Sequence, residues 1–198
     1  MKKNSFFAMM GRMKYITRWG LMRNTLRESL SEHSFETAVI AHALAVIGKE
    51  RYGRTVDPGE IAAAALFHDA PEILTGDLPT PVKYHDPDIR RAYQAVEQNA
   101  ARQLLGALPD DLRPTYTALF AFETDRPEFY RYIKAADKIS AYLKCVEERK
   151  SGSREFLRAE AQLLAAIREM GMPEADDYMA QFAIEFEHTL DALQQEEN

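Results

Sequence analysis

Two of the five histidines in the chain occur in settings that suit a metal ion: His33 in Ser31-Glu32-His33-Ser34, and His68 in Phe67-His68-Asp69-Ala70. His68 and Asp69 are adjacent near the end of an otherwise apolar helical segment. An irregularity there lets both side chains reach one ion despite the rotation of about 100° between helical neighbours. Further along, Ile133, Ala136, Ser140 and Leu143 trace a helical face that also carries Asp137. A carboxylate on a core-facing stripe is costly unless it is paired, hydrogen-bonded or bound to a cation. Asp137 is therefore read in two ways, as a metal ligand or as half of a buried salt bridge with an arginine. Taken together, two imidazoles and two carboxylates suit a borderline or moderately hard divalent ion, with positions left for water and a substrate oxygen. Such an ion brings the pKa of bound water into the neutral range and offsets charge developing on a phosphoryl group.

These residues must be positioned by helices. Apolar residues recur with helical period in nearly every segment, and no run of four to eight residues alternates in the manner of a half-buried strand. The fold is expected to be all-α, a helical bundle forming one domain over residues 1–198. A first helix is expected over Phe6 to Thr17. A second begins near Ser31, where Ser29 and Glu32 have the spacing of a capping box, and runs to about Arg51. After the turn at Val56-Asp57-Pro58-Gly59, residues 60–74 read as a third helix, disturbed by Pro71 just after the His-Asp pair. Gly76, Pro79, Pro81 and Pro87 argue for a loop through 75–88. Helices are expected near 88–106, 110–122, 128–149, 153–169 and 174–195, the last with a core-facing stripe of Tyr178, Phe182, Phe186, Leu190 and Leu193.

Composition narrows the function classes. With 25 Lys plus Arg against 31 Asp plus Glu, the formal charge is -6. No global basic field draws the protein to a nucleic-acid polymer or an anionic membrane, so a small anionic substrate must meet local positive groups. The single cysteine, Cys145, excludes an internal disulfide framework and fits a reducing cytoplasm. No signal peptide or membrane span is read. Neither GxxxxGK[ST] nor GxGxxG occurs, so a nucleotide would be held without those phosphate-cradling loops.

The ordered set His33, His68 with Asp69, then Asp137 resembles the signature of the HD superfamily of metal-dependent phosphohydrolases. The segments Arg18-Trp19-Gly20-Leu21-Met22-Arg23-Asn24, SEHSFETA, FHDAPEILTGDLPTPVKY and KAADKISAYLKCVEE resemble those of the YfbR-type 5'-deoxynucleotidases. This resemblance implies an all-helical HD domain, phosphate release from deoxyribonucleoside 5'-monophosphates, and homodimerisation. It also implies a divalent ion such as cobalt or manganese, and the donor set accepts zinc, copper or magnesium as well.

Carried over residue by residue, the resemblance places metal on His33, His68, Asp69 and Asp137, with Asp69 and His33 also facing substrate. It places Arg18 and Trp19 against substrate, with Asp137 facing it as well, and lines the pocket with Asp77, Leu78, Pro79 and Thr80. A guanidinium suits two phosphate oxygens at once, making Arg18 the natural clamp. Trp19 reads as a sugar or base wall, or as a core aromatic. Glu72, three residues after Asp69, is placed to take a proton from water or orient it. Asp77 is the alternative proton group, a partner for the sugar hydroxyl, or a turn-stabilising residue. Pro71 stands where the family is expected to vary, which bears on the geometry around Glu72. His42, nearly opposite His33 on an ideal helix, reads as a core histidine rather than a fifth ligand. His85 and His188 read as surface residues, Lys83 as an exposed lysine with phosphate as its second reading, and Cys145 as inert packing. The remaining alternatives are another small phosphomonoester as substrate, or a metal-retaining binding protein without catalysis.

Overall fold

The computed structural model describes residues 2–79 and 86–194. Among these there is no strand, and the elements are helices as expected. Helix α1 (Phe6–Met10) is followed by a 3-10 turn, Met13–Tyr15, rather than continuing to Thr17. The two pieces are anchored in different places. Phe6 is buried with Ala70, Leu104, Ala107 and Leu108, while Met13 is buried with Leu30 and Ile73.

Helix α2 (Leu30–Tyr52) starts where its capping box requires: Ser29 accepts from the Glu32 amide, and the Glu32 carboxylate accepts from the Ser29 amide. It ends at Gly53 in the left-handed conformation, φ 61°. Helix α2 packs on α3 (Pro58–Ala65) and on the long helix that will be called α8 (Pro127–Lys150). Alanines 38, 41, 45, 64, 65, 135 and 136 are buried in that core and permit close approach. At Gly48 a Cβ would lie 2.8 Å from the Tyr132 hydroxyl, so glycine is needed at this crossing. His42 is exposed, a correction to its reading as a core residue. His33 faces inward, so a residue half a turn away points to solvent, as do Phe35 and Val39 on the same outer side.

The third expected helix also differs. Helix α3 stops at Ala65, before the His-Asp pair, and α4 (Glu72–Thr75) is a single turn. Between them the amides of Phe67, His68, Ala70 and Glu72 bond three residues back rather than four. Pro71 has no amide to offer the Phe67 carbonyl, and the Ala70 amide takes that carbonyl instead.

Helix α5 (Pro87–Leu105) is capped by Asp86 with proline at its first turn. Helices α6 (Arg113–Phe120) and α7 (Phe122–Asp125) lead into α8, and α9 (Leu157–Glu169) packs along α8. Helix α10 (Pro173–Gln181) packs on α2. The expected helix over 174–195 is broken: a 3-10 turn Ala183–Glu187 and a short α11 (Leu190–Leu193) follow. Of its expected core stripe only Tyr178 is buried; Phe182, Phe186, Leu190 and Leu193 are exposed. Lys150 from the end of α8 donates to the Phe186 and His188 carbonyls, pulling them out of helical pairing. Among the described residues no helix is long and apolar enough to cross a membrane.

Candidate active site

The capping box fixes the register of α2, and His33 lies in its first turn, with its amide bonded to the Ser29 carbonyl at 3.1 Å. Its ring is fully buried. The Ser140 hydroxyl, from α8, donates to Glu36 at 3.2 Å and lies 3.1 Å from His33 Nδ1. With its proton so committed, Ser140 accepts from Nδ1–H, and His33 Nε2 is the nitrogen turned to the two aspartates. That atom is 3.1 Å from Asp137 Oδ1 and 3.6 Å from Asp69 Oδ2.

The tightened turn after α3 supplies the other half. His68 Nδ1 donates to the Ala65 carbonyl at 2.7 Å, so Nε2 is the nitrogen that can ligate once its proton leaves. His68 Nε2 is buried, has no hydrogen-bond partner of acceptable geometry, and stands 3.1 Å from Asp69 Oδ2. The ligand atoms of His33, His68 and Asp69 all lie within 4.8 Å of one another, a spacing that fits a metal ion. Two imidazoles held by their Nδ1 atoms, with both Nε2 atoms turned to one carboxylate oxygen, are a donor set suited to a cation that takes the place of the ring proton. Asp137 joins through His33, and its side chain is 42% exposed, so it sits at the open edge of the cluster rather than within the core. Among the described residues the nearest basic atom to Asp137 is His33 Nε2, and the charge of Arg18 also reaches it.

Charge in the cluster is strongly coupled. The charges and hydrogen bonds of His68, with His33 and Arg18 adding to them, outweigh burial and hold Asp69 well below the usual carboxylate range. Burial works against the charge on His68, but Asp69, Asp137 and the Ala65 carbonyl push it up to about 9. Arg18 is buried at a cost, yet Asp137, Asp69, Glu28 and Asp77 raise its pKa further. Its Nη1 is 3.4 Å from Asp69 Oδ2. Arg18 therefore points at the metal-ligand cluster.

Trp19 is half-buried, its ring packed edge-on against Phe156 with centroids 5.4 Å apart, and its indole N–H donates to Glu28. The Asp77 carboxylate lies toward the backbone N–H of Trp19, and burial raises its pKa despite the pull of Arg18. Leu78 and Pro79 are half-buried beside it without regular structure. Glu72 is buried, one tight turn after Asp69, with its amide on the Asp69 carbonyl at 2.9 Å. Thr80, Lys83 and His85 lie outside the described residues. His188 is exposed, and Cys145 is buried with its thiol pushed up to about 12, so it stays an inert packing group.

Three neighbours were not found from the sequence. Glu28 reads as a polar residue ahead of a helix, yet it is 6% exposed and holds Arg18 and Trp19. Glu36 supports His33 only through Ser140. Tyr130, two turns before Asp137 on α8, is close enough to Asp69 and Asp137 for their charges, after burial and Glu123, to raise its phenol. The seven-residue spacing from Asp137 is the one clue that could have found it.

Comparison with known proteins places this geometry. The family described as 5'-deoxynucleotidase YfbR-like matches residues 5–186. A 5'-deoxynucleotidase of Vibrio cholerae serotype O1 is 44% identical over 193 residues, covering 98% of this chain and 100% of the relative. Among solved structures, an HD-domain phosphohydrolase from Listeria innocua superposes with a TM-score of 0.79 at 22% identity, over 92% of this chain and 88% of the other. A cyanophage S-2L HD phosphohydrolase, bound to dA and one catalytic Zn2+ ion, superposes at 0.62 with 20% identity, over 92% and 96%. At these identities the two structures speak for the fold, and the near-full-length sequence match speaks for kinship. The chain belongs to the YfbR-like 5'-deoxynucleotidase family.

Proposed function

We propose that the protein hydrolyses deoxyribonucleoside 5'-monophosphates to deoxynucleoside and phosphate. One observation carries the reading: Asp69 Oδ2 is shared by His68 Nε2, His33 Nε2 and Arg18 Nη1, all within 3.6 Å. A phosphate gripped by Arg18 is thereby brought against the cluster that suits a metal ion. The naming of the Vibrio cholerae relative as a 5'-deoxynucleotidase, and dA in the cyanophage structure, support a deoxynucleotide substrate.

His33, His68, Asp69 and Asp137 would hold the ion. A divalent ion bound there supplies a water of lowered pKa and offsets charge on the phosphoryl group. Arg18 binds and orients the phosphate through its Nη ends. Glu72 takes the proton of the attacking water on a carboxylate oxygen, with Asp77 as the alternative acceptor or the partner of a sugar hydroxyl. The P–O5' bond breaks as water oxygen bonds phosphorus, and the departing 5' oxygen takes up the proton that Glu72 accepted, by way of solvent. Trp19, Leu78 and Pro79 form the sugar and base side of the pocket, to which the resemblance also assigns Thr80, and the indole edge crowds the 2' position. Cobalt or manganese is the proposed ion. The whole chain is read as one HD-type domain, active in the cytoplasm as a homodimer.

A phosphate-release panel tests the reading: purified, metal-loaded protein against matched ribo- and deoxyribonucleoside monophosphates. Release from the deoxy series supports it. Release of triphosphate from a nucleoside triphosphate, with no action on monophosphates, overturns it.

A further inference from the structure

We propose that Glu28 is a positioning residue that locks the phosphate clamp and the pocket wall, Arg18 and Trp19, into one unit; this rests on the deoxynucleotidase reading above. A single carboxylate oxygen, Glu28 Oε2, accepts from Arg18 Nε at 3.1 Å and from Trp19 Nε1 at 2.9 Å.

Two consecutive side chains on an extended chain point to opposite sides. Here both reach one oxygen because Trp19 adopts the left-handed conformation, φ 59°, which bulky L residues rarely occupy. The surrounding bonds hold that conformation. The Trp19 amide lies toward the Asp77 carboxylate, whose pKa it lowers, and its carbonyl accepts from the Met22 amide and the Asn24 side chain. On the other side, an antiparallel bridge pairs Thr17 with Ser29. Through it the Arg18 amide donates to the Glu28 carbonyl at 3.0 Å, and the Leu30 amide to the Ile16 carbonyl at 2.9 Å. Glu28 is thus tied by backbone and side chain to Arg18, and it immediately precedes the Ser29 cap of the helix that carries His33.

Fixing Nε fixes the guanidinium plane. Of five donors in a rigid fork, one faces Glu28, and the Nη end is turned toward Asp69 at 3.4 Å. Without Glu28 the guanidinium rotates among Asp69, Asp77 and Asp137, all close enough to raise its pKa. An arriving phosphate must then order it. The carboxylate itself is too enclosed, 6% exposed, to be a substrate group. It acts through its two neighbours.

Trp19 is the one tryptophan of the chain, so its fluorescence reports the unit directly. The test uses the metal-loaded full chain with Glu28→Gln, Glu28→Ala, Arg18→Ala and the Arg18→Ala/Glu28→Gln double variant. It reads dAMP kinetics, dAMP binding by Trp19 emission, and acrylamide quenching. Glu28→Gln keeps an acceptor of the same shape but loses the charge, and is expected to raise KM for dAMP by about tenfold with kcat changed far less. In the Arg18→Ala background the same change should alter kcat/KM by less than about twofold, since its effect passes through Arg18. Glu28→Ala should shift Trp19 emission and increase its quenching. An equal loss of kcat/KM with and without Arg18, accompanied by lower thermal stability, makes Glu28 a folding group and overturns the proposal. So does unchanged KM with unchanged Trp19 emission. If the wild type releases no phosphate from dAMP, the deoxynucleotidase reading fails, and Trp19 quenching and dAMP binding still decide whether Glu28 holds the unit.

Discussion

Arg18 Nη1 stands 3.4 Å from Asp69 Oδ2, the same oxygen that approaches His68 Nε2 at 3.1 Å. The cation that suits phosphate and the carboxylate that suits a metal are therefore neighbours before substrate arrives. On the proposed reading, a dianionic phosphate takes over Arg18 from that carboxylate and remains beside the cluster.

Arg18→Ala removes hydrogen bonds to a charged partner, each worth about 1.5–3 kcal/mol. The expected loss in kcat/KM for dAMP is about 10- to 100-fold, with metal content unchanged and partial recovery in Arg18→Lys, which keeps charge but not the fork. Steady-state kinetics with metal analysis of each variant checks this; an unaltered KM rejects the clamp.

His68 gives a pH dependence with a definite sign. Its pKa is raised from 6.5 to about 9 in the ion-free protein by Asp69, Asp137 and the Ala65 carbonyl, against burial. Protonated His68 stabilises the ion-free fold fully below 6.5, and that contribution is lost as pH rises through about 9. The ion needs the neutral ring, so metal affinity should weaken as pH falls across the same window, by about tenfold per unit for one displaced proton. Calorimetry in buffers of different ionisation enthalpy measures the release. Affinity that stays flat, with no proton released, contradicts the assignment of His68.

Glu72→Ala should retain the ion and lose turnover by about 10²- to 10⁴-fold, the usual worth of general acid–base assistance. Near-normal turnover with bound metal moves the proton role to Asp77, whose raised pKa already favours holding a proton.

Glu148 tests the support of the segment between Trp19 and Glu28. It is 1% exposed, accepts from the Thr25 and Leu26 amides, and pairs with Lys144, which also donates to the Leu26 carbonyl. Those contacts overcome burial and lower its pKa to about 2 from 4.5, so its stabilisation is present above 4.5 and lost as pH falls through about 2. Glu148→Ala leaves Lys144 charged and buried, and should cost about 3–5 kcal/mol in denaturant unfolding. A loss below about 1 kcal/mol, the scale of an exposed pair, would show the pair to be incidental.

The legible parts of the molecule were those set by local chemistry. Ser29 and Glu32 mark the start of α2 because capping needs only four consecutive residues, and that start fixes where His33 points. The pairing of His68 with Asp69 was visible, but the end of α3 at Ala65 was not, since alanines 62–65 carry no stop signal and Pro71 acts several residues upstream. The irregular chain between Ala183 and Leu190 was equally hidden: the carbonyls of Phe186 and His188 bond to Lys150, far away in sequence, instead of continuing a helix. Glu28 needed the Thr17–Ser29 bridge to bring it to Arg18, a long-range pairing that helical periodicity does not encode.

The most direct measurement of the central claim is phosphate release from dAMP and AMP by one preparation, first stripped with chelator and then reloaded with manganese or cobalt. The account predicts no release from the stripped protein and recovery on reloading. It also predicts a preference for dAMP of up to about 10²-fold, the limit for a wall that merely crowds an added hydroxyl. Full activity in the metal-free protein, or equal turnover of both sugars after reloading, contradicts it.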